Sequence, residues 1–120
     1  MNVKENYQKA LELYYESAEK GNAYSQLQLG RMFLLGEGVD RDYKAALEWY
    51  QKSAEQGNAE AQACLGHMLE QGLGVDRDIQ KALELYKKSA VKGNALGQAK
   101  LAGLYLNGLG VEQNHRQAFA

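Results

Sequence analysis

The sequence predicts an all-α fold, an α/α right-handed superhelix (a solenoid) of 36-residue helix-turn-helix repeats. Two observations predict it. A Gly-Asn-Ala motif begins at Gly21, Gly57 and Gly93, so the same motif recurs every 36 residues. Each period also contains two segments of helical length, one of which is clearly amphipathic. A single helix pair of this size cannot bury its apolar face, so stacked pairs are expected to share one continuous core.

The period also predicts the domain organisation. A second motif, Gly-x-Gly-Val, begins at Gly36, Gly72 and Gly108 with the same spacing, and more than half of the positions in 22–57 are identical in 58–93. We therefore interpret residues 1–120 as a single repeat domain. It divides into three full periods and the start of a truncated fourth, at 3–38, 39–74, 75–110 and 111–120.

We name the segment after Asn-Ala helix A and the segment after Gly-x-Gly-Val helix B. In the second period, the apolar face of helix B follows the helical spacing i, i+3, i+4, i+7 and i+11, with Tyr43, Ala46, Leu47, Tyr50 and Ala54. Gly57 is expected to end this helix in the left-handed conformation. Asn58 then serves as the N-cap of helix A.

Two glycines lie inside helix A, at Gly30 and Gly66. Glycine destabilises a helix interior by about 0.5–1 kcal/mol relative to alanine, so a helix keeps it where another element comes close. We expect that element to be helix B, approaching through small residues such as Ala46 and Ala82. The tyrosines that recur on helix B are predicted to pack between helices.

Composition excludes several classes of protein. Apolar residues make up 45% and charged residues 24%, which is typical of a soluble globular protein. The formal net charge of −1 gives no broad basic surface for nucleic acid, and no apolar run is long enough for membrane insertion. As it stands, the chain is expected to be cytoplasmic, with its single cysteine reduced. A signal peptide removed from the start would instead place it in the periplasm or outside the cell.

The loop Gly36–Asp42, with the sequence GEGVDRD, resembles a ligand loop at first sight. It lacks the Lys-Ser/Thr of a phosphate-binding loop, and only Asp40 and Asp42 could bind calcium. All four copies do keep a valine followed three residues later by Asp or Asn, namely Val3/Asn6, Val39/Asp42, Val75/Asp78 and Val111/Asn114. The loop is therefore predicted to be a connector, with Asp42 as the N-cap of the next helix.

Cys64 and His67 lie at i and i+3 on helix A, with Glu60 and Glu70 nearby, a spacing that could bring a thiolate and an imidazole to one metal. The other two periods carry neither a cysteine nor a histidine at these positions. The favoured interpretation is therefore a chance pair, with no metal and no cofactor. No Ser/His/Asp constellation is evident with only His67 and His115 available, so no enzyme activity is predicted.

Positions that differ between the copies form a stripe on helix A, on the face expected to lie opposite the core. The stripe comprises Tyr24, Gln28, Arg31 and Leu35 in the first period, Glu60, Cys64, His67 and Gln71 in the second, and Leu96, Lys100, Gly103 and Asn107 in the third. One interpretation is a solvated face that varies freely. The other is a binding groove for an extended peptide with an acidic element.

The pattern NAxAQxxLGxM…GxGVxRDxxKALExYxKSAxxG resembles the Sel-one-like repeat (SLR) family, a relative of the tetratricopeptide repeat. The resemblance covers essentially the whole chain, although the third copy departs from it at Ala102-Gly103 and at GVEQN. It implies an α-solenoid adaptor or scaffold for protein–protein interaction, without catalytic residues to transfer. Bacterial proteins with such repeats are often linked to signalling, envelope or host interactions.

By analogy with related solenoids, helix A lines the concave side. The predicted function is therefore a non-enzymatic module that binds a protein or peptide along the helix A groove, with Tyr24 as an anchor and with Arg31 and Lys100 contacting anionic groups. One alternative is a structural or assembly segment of a larger protein, whose incomplete terminal repeats stack end to end on other copies. A metal- or thiol-dependent site at Cys64 and His67 is the second alternative.

Overall fold

The computed structural model describes residues 2–108, which form six α-helices and no strands. In chain order they are α1 (Val3–Glu19), α2 (Ala23–Leu35), α3 (Tyr43–Glu55), α4 (Ala59–Gln71), α5 (Ile79–Val91) and α6 (Ala95–Asn107). Helix A of the three periods is α2, α4 and α6, and helix B is α1, α3 and α5. The all-α prediction is confirmed. The predicted start of a fourth repeat, 111–120 with its Val111/Asn114 pair, lies outside the described residues.

The helices stack into an elongated molecule measuring 58 × 24 × 23 Å. Each helix packs against the next in the chain, and α4 also packs directly against α6. One continuous core extends from Leu27 on α2 to Leu104 on α6. A smaller cluster of Ala18, Leu29 and Trp49 joins α1 to its neighbours. Sharing one core between neighbouring repeats is the arrangement expected of a solenoid.

Side-chain caps begin the helices at the predicted positions. The Asn58 Oδ1 accepts a 2.8 Å hydrogen bond from the backbone N–H three residues later, and Asn22 and Asn94 do the same for α2 and α6. The Asp42 and Asp78 carboxylates accept equivalent bonds of 3.1 and 3.0 Å at the starts of α3 and α5. These bonds satisfy N–H groups that lack a partner inside the helix.

The first copy of the Val-x-x-Asp/Asn pattern does not cap a helix, which corrects the prediction for Asn6. Helix α1 begins at Val3, is capped by the Asn2 side chain at 2.8 Å, and contains Asn6 in its interior. In the second period the chain is diverted just before α3, where the Asp42 N–H donates to the Phe33 carbonyl at 2.9 Å. Within residues 2–108 the first copy has no such backbone contact, and the helix continues through Asn6.

The loops after α2 and α4 each need both of their glycines. Gly36 ends α2 with φ +70°, a left-handed conformation that side chains with a Cβ rarely adopt. A Cβ on Gly38 would lie 2.7 Å from the Tyr7 Cβ of α1, and one on Gly74 would lie 2.8 Å from the Tyr43 Cβ of α3. The second glycine therefore lets the loop lie against the preceding helix B. The glycines of the loop are thus explained by its conformation and packing, which fits its predicted role as a connector.

The glycines inside helix A do allow helix B to approach closely, but not through its alanines. A Cβ on Gly30 would lie 2.6 Å from the Tyr50 ring, and one on Gly66 would lie 2.7 Å from the Tyr86 ring. The prediction that Ala46 and its equivalents make the close approach was therefore wrong. The tyrosine follows one turn later on the same face of helix B, and its flat ring covers the bare glycine backbone.

A buried serine ties helix B to the helix A before it. The Ser53 Oγ of α3 donates a 2.7 Å hydrogen bond to the Ala23 carbonyl of α2, and the Ser89 Oγ of α5 donates to the Ala59 carbonyl of α4 at the same distance. Both serines are fully buried. The bonds hold the two helices of each pair in register. No helix within residues 2–108 is long and apolar enough to cross a membrane.

Candidate functional site

An ion pair joins the first two helices of the stripe. The Arg31 Nη1 on α2 donates to the Glu60 Oε1 on α4 at 3.2 Å, and the two side chains are 46% and 43% exposed. Two positions predicted to belong to one surface are thus brought together. The pairing weakens the prediction that Arg31 contacts an anionic group of a partner, because the Glu60 carboxylate already lies beside this cation.

A pocket lies where the stripe crosses from the second period to the third. It has a volume of about 250 Å³ and is lined by Leu34 of α2, Cys64 and His67 of α4, and Leu96 and Lys100 of α6. Four of these five residues were predicted as members of the stripe. The fold therefore brings together side chains that lie up to 66 positions apart in the sequence. The pocket combines aliphatic walls with one ammonium group and one imidazole.

Leu34 was missed by the prediction, although a signal for it exists. The copies disagree at this position as they do along the stripe, since the equivalents of Leu34 are Glu70 and Leu106. It was left out because it lies one position from Leu35, off the helical spacing used to define the stripe. Leu35 itself is 53% exposed and does not line the pocket.

The stripe prediction placed Cys64 on a face opposite the core, and this was wrong. It is half-buried and packs against the main core cluster. The reason is that α6 lies directly beside α4 and covers a face that would be exposed in a single helix pair. Burial, with a further contribution from the negative charge of Glu60, raises the pKa of the Cys64 thiol to about 11. A thiol with this pKa carries very little thiolate at neutral pH and is a poor nucleophile.

His67 is the titratable group of the pocket. Burial lowers the pKa of this imidazole, the nearby positive charge of Lys100 lowers it further, and Glu70 on the same helix acts in the opposite direction. The His67 Nδ1 atom is buried and has no hydrogen-bond partner within residues 2–108. The imidazole is therefore neutral at pH 7, so Lys100 supplies the only positive charge among the lining residues.

The alternative metal site lacks available ligands. Among the described residues, no group of three or more His, Cys, Asp or Glu side chains could hold a metal ion. Glu60 is paired with Arg31, and the Glu70 Oε1 accepts a 2.6 Å hydrogen bond from the Tyr86 hydroxyl. Burial and this hydrogen bond both raise the pKa of Tyr86. The two carboxylates nearest to the Cys64/His67 pair are thus already engaged.

The remaining stripe residues stay outside the pocket. Tyr24 is 58% exposed, and its ring packs edge-on against Tyr14 with centroids 6.3 Å apart. Gln28 is half-buried. Of the other four members, Gly103 is partly buried inside α6, and the remaining three are exposed at the ends of their helices, namely Leu35, Gln71 and Asn107. The stripe is therefore a face with one concave part, between α4 and α6, rather than a uniform groove.

The fold and this face define a class of protein, the α-solenoid repeat proteins. The profile of the Sel1 repeat family matches residues 1–22, 23–58, 59–94 and 95–120, and the chain belongs to this family. Proteins of the family are generally protein–protein interaction modules and non-enzymatic scaffolds. No curated protein matches the chain.

Two solved structures are similar to the chain over most of its length. One is c5321, a protective antigen present in uropathogenic Escherichia coli strains that displays an SLR fold. It has 41% sequence identity and a TM-score of 0.84, and the match covers 91% of this chain and 24% of that one. The other is a Sel1 repeat protein from Oxalobacter formigenes, with 31% identity, a TM-score of 0.81, and coverage of 87% of this chain and 42% of that one. The chain thus spans less than half the length of either protein.

Proposed function

We propose that this chain is a non-enzymatic interaction module that binds an extended segment of a protein partner along the face of α2, α4 and α6. The observation that supports this most directly is the pocket between α4 and α6. It is built from positions that differ between repeats, while the positions that build the fold repeat. Its lining includes a lysine without an anionic partner among residues 2–108.

The dimensions of the site favour a polypeptide over a small metabolite. Pockets for small molecules usually enclose about 300–1,000 Å³, whereas this one has a volume of about 250 Å³ and suits a single side chain. Neighbouring helix axes lie about 8–10 Å apart, so a segment crossing from α2 to α6 spans roughly 20 Å. About six residues of extended chain cover that distance. A peptide of this length passes the Arg31–Glu60 pair and the pocket.

The test uses a phage-displayed library of random peptides selected on the immobilised protein. Selected peptides are then measured by fluorescence polarisation against Leu96→Ala, in the pocket, and Leu13→Ala, an exposed leucine on α1. Burying a leucine side chain contributes about 1.5–3 kcal/mol, so L96A should weaken binding about ten-fold or more, and L13A should leave it unchanged. Circular dichroism checks that both variants fold. Equal effects of the two substitutions would refute the proposal.

An assembly role is the second candidate, and two exposed leucines favour it. Leu13 on α1 and Leu106 on α6 are each 68% exposed on the outermost described helices. Stacking of one copy on another would cover such side chains. Light scattering over a range of concentrations tests this directly. An increase in mass that L106E abolishes would support it, whereas a constant monomer mass would exclude it.

A further inference from the structure

The two junctions between neighbouring helix A segments have different charge arrangements. At the α2–α4 junction, Glu60 places a carboxylate beside Arg31 at 3.2 Å. One period later, the equivalents of Arg31 and Glu60 are His67 and Leu96. The α4–α6 junction therefore has a leucine where the first junction has its internal carboxylate. Lys100, the period equivalent of Gln28, adds a positive charge at the same place.

The two junctions also differ in the charge that surrounds them. Lys100 is half-buried and forms no ion pair with any residue in 2–108. The third period up to the end of the described chain, 75–108, carries six basic and three acidic side chains. The second period, 39–74, carries three basic and six acidic ones, so the two periods that meet at the α4–α6 junction together carry nine of each. Residues 3–74, which flank the first junction, carry seven basic and eleven acidic side chains. A carboxylate from outside the chain is therefore attracted to the pocket, and more strongly than to the first junction.

We propose that this pocket recognises an acidic side chain of the partner together with an aliphatic side chain beside it. The inference rests on the proposed function and specifies its ligand. The carboxylate pairs with Lys100, taking the place that Glu60 occupies at the first junction. The aliphatic side chain packs against Leu34 and Leu96. The acid is a side chain rather than a chain terminus, because the face of α2, α4 and α6 continues past the pocket toward Arg31, which lets the segment run through.

His67 gives this recognition a pH dependence. The charged groups that act on its imidazole are Lys100 from α6 and Glu70 on its own helix, with burial keeping the ring neutral. A bound carboxylate would neutralise the effect of Lys100 and favour the protonated ring, so the pKa of His67 rises on binding. Affinity must then increase as the pH falls through the pKa of the bound state, and level off below the pKa of the free state. Glu70 accepts a hydrogen bond from the Tyr86 hydroxyl.

The experiment uses the peptides selected from the displayed library, which are joined to the phage coat through their C-termini and have no free terminal carboxylate. We expect them to be enriched in Asp or Glu within about two positions of Leu, Ile or Val. Lys100→Met should weaken their binding about ten-fold or more, because a charge-assisted hydrogen bond is lost. Lys44→Met, on the exposed side of α3, is the matched control and should have no effect. Replacing the acidic residue of the peptide by its amide should cancel the effect of K100M.

The pH response is measured with the same peptides at about pH 8 and about pH 5.5, above the range in which the peptide's own carboxylate titrates. We expect tighter binding at the lower pH in the wild-type protein and a clearly smaller change in His67→Gln. His115 is present in both proteins, so the difference between their responses reports on His67. A response as large in H67Q as in the wild-type protein would overturn the role of His67.

Two outcomes separate failure of this inference from failure of the proposed function. Selected peptides without acidic enrichment, insensitive to K100M but weakened by L96A, would overturn the acidic recognition and leave the binding face in place. If L96A did not weaken the binding of the selected peptides, the proposed binding face itself would be refuted.

Discussion

Replacing Gly66 by alanine should destabilise the protein, although alanine is the better helix former. A Cβ at this position would lie 2.7 and 2.9 Å from two atoms of the Tyr86 ring. The ring cannot move away easily, because Tyr86 is fully buried and its hydroxyl is hydrogen-bonded to Glu70 at 2.6 Å. Overpacking of this kind costs about 1–3 kcal/mol, and the gain in helix propensity offsets about 0.5–1 kcal/mol. The expected net loss in the free energy of unfolding is about 1–2 kcal/mol.

Thermal unfolding followed by circular dichroism measures this effect. For a chain of this length, the expected decrease in Tm is roughly 4–8 °C. Gly103→Ala is the matched control, since Gly103 lies inside α6 with nothing within 4 Å of an added Cβ. It should stabilise the protein by about 0.5–1 kcal/mol. If G66A were as stable as G103A, the reasoning would be refuted, because the close contact with Tyr86 would then not explain the glycine at position 66.

Three further substitutions or reactions test other parts of the structure. Ser89→Ala removes the 2.7 Å hydrogen bond to the Ala59 carbonyl and should cost about 1–2 kcal/mol in urea unfolding; no loss would mean that this bond does not stabilise the contact between α5 and α4. Asp78→Ala removes the cap of α5 and should cost about 1 kcal/mol, whereas the exposed neighbour Asp76→Ala should change stability by less than about 0.5 kcal/mol. Because burial raises the pKa of Cys64 to about 11, its alkylation by iodoacetamide near pH 8 should be about 100-fold slower in the folded protein than in guanidinium chloride, and equal rates would contradict the burial.

The sequence predicted those features that depend on short stretches of chain. The caps Asn58 and Asp42 act on N–H groups three residues away, and Gly57 ends its helix by its own φ of +90°. The 36-residue period then predicted the stacking, because one helix pair cannot bury its own apolar face. Asn6 shows the limit of this reasoning. The residue pattern is present there, but Asn6 lies inside α1, whereas Asp42 and Asp78 follow a loop that is bonded to the preceding helix A.

Contacts between helices could not be predicted from the sequence in the way that the caps and helix ends could. The Arg31–Glu60 pair and the place of Leu34 in the pocket depend on the distance and rotation between α2 and α4, which no local pattern encodes. Disagreement between copies did identify Cys64, His67, Leu96 and Lys100 as one surface. It did not show that Cys64 would be half-buried, because the covering of α4 by α6 becomes apparent only when the third period is in place.

The repeated residues hold the fold together, so changes in the stripe can alter the proposed binding of a partner without altering the fold. Tyr86 on Gly66 and Ser89 on Ala59 fix the position of α5 on α4, and α6 packs directly against both of these helices. The helices that line most of the pocket are thus held in place before a partner arrives. A preorganised site loses less conformational entropy on binding than a flexible one. On this fixed framework, leucine replaces Glu60 and lysine replaces Gln28 at the α4–α6 junction, so the added cation has no ion-pair partner within residues 2–108. Binding of an acidic partner is thus expected mainly at the α4–α6 junction, although both junctions are built on the same repeat.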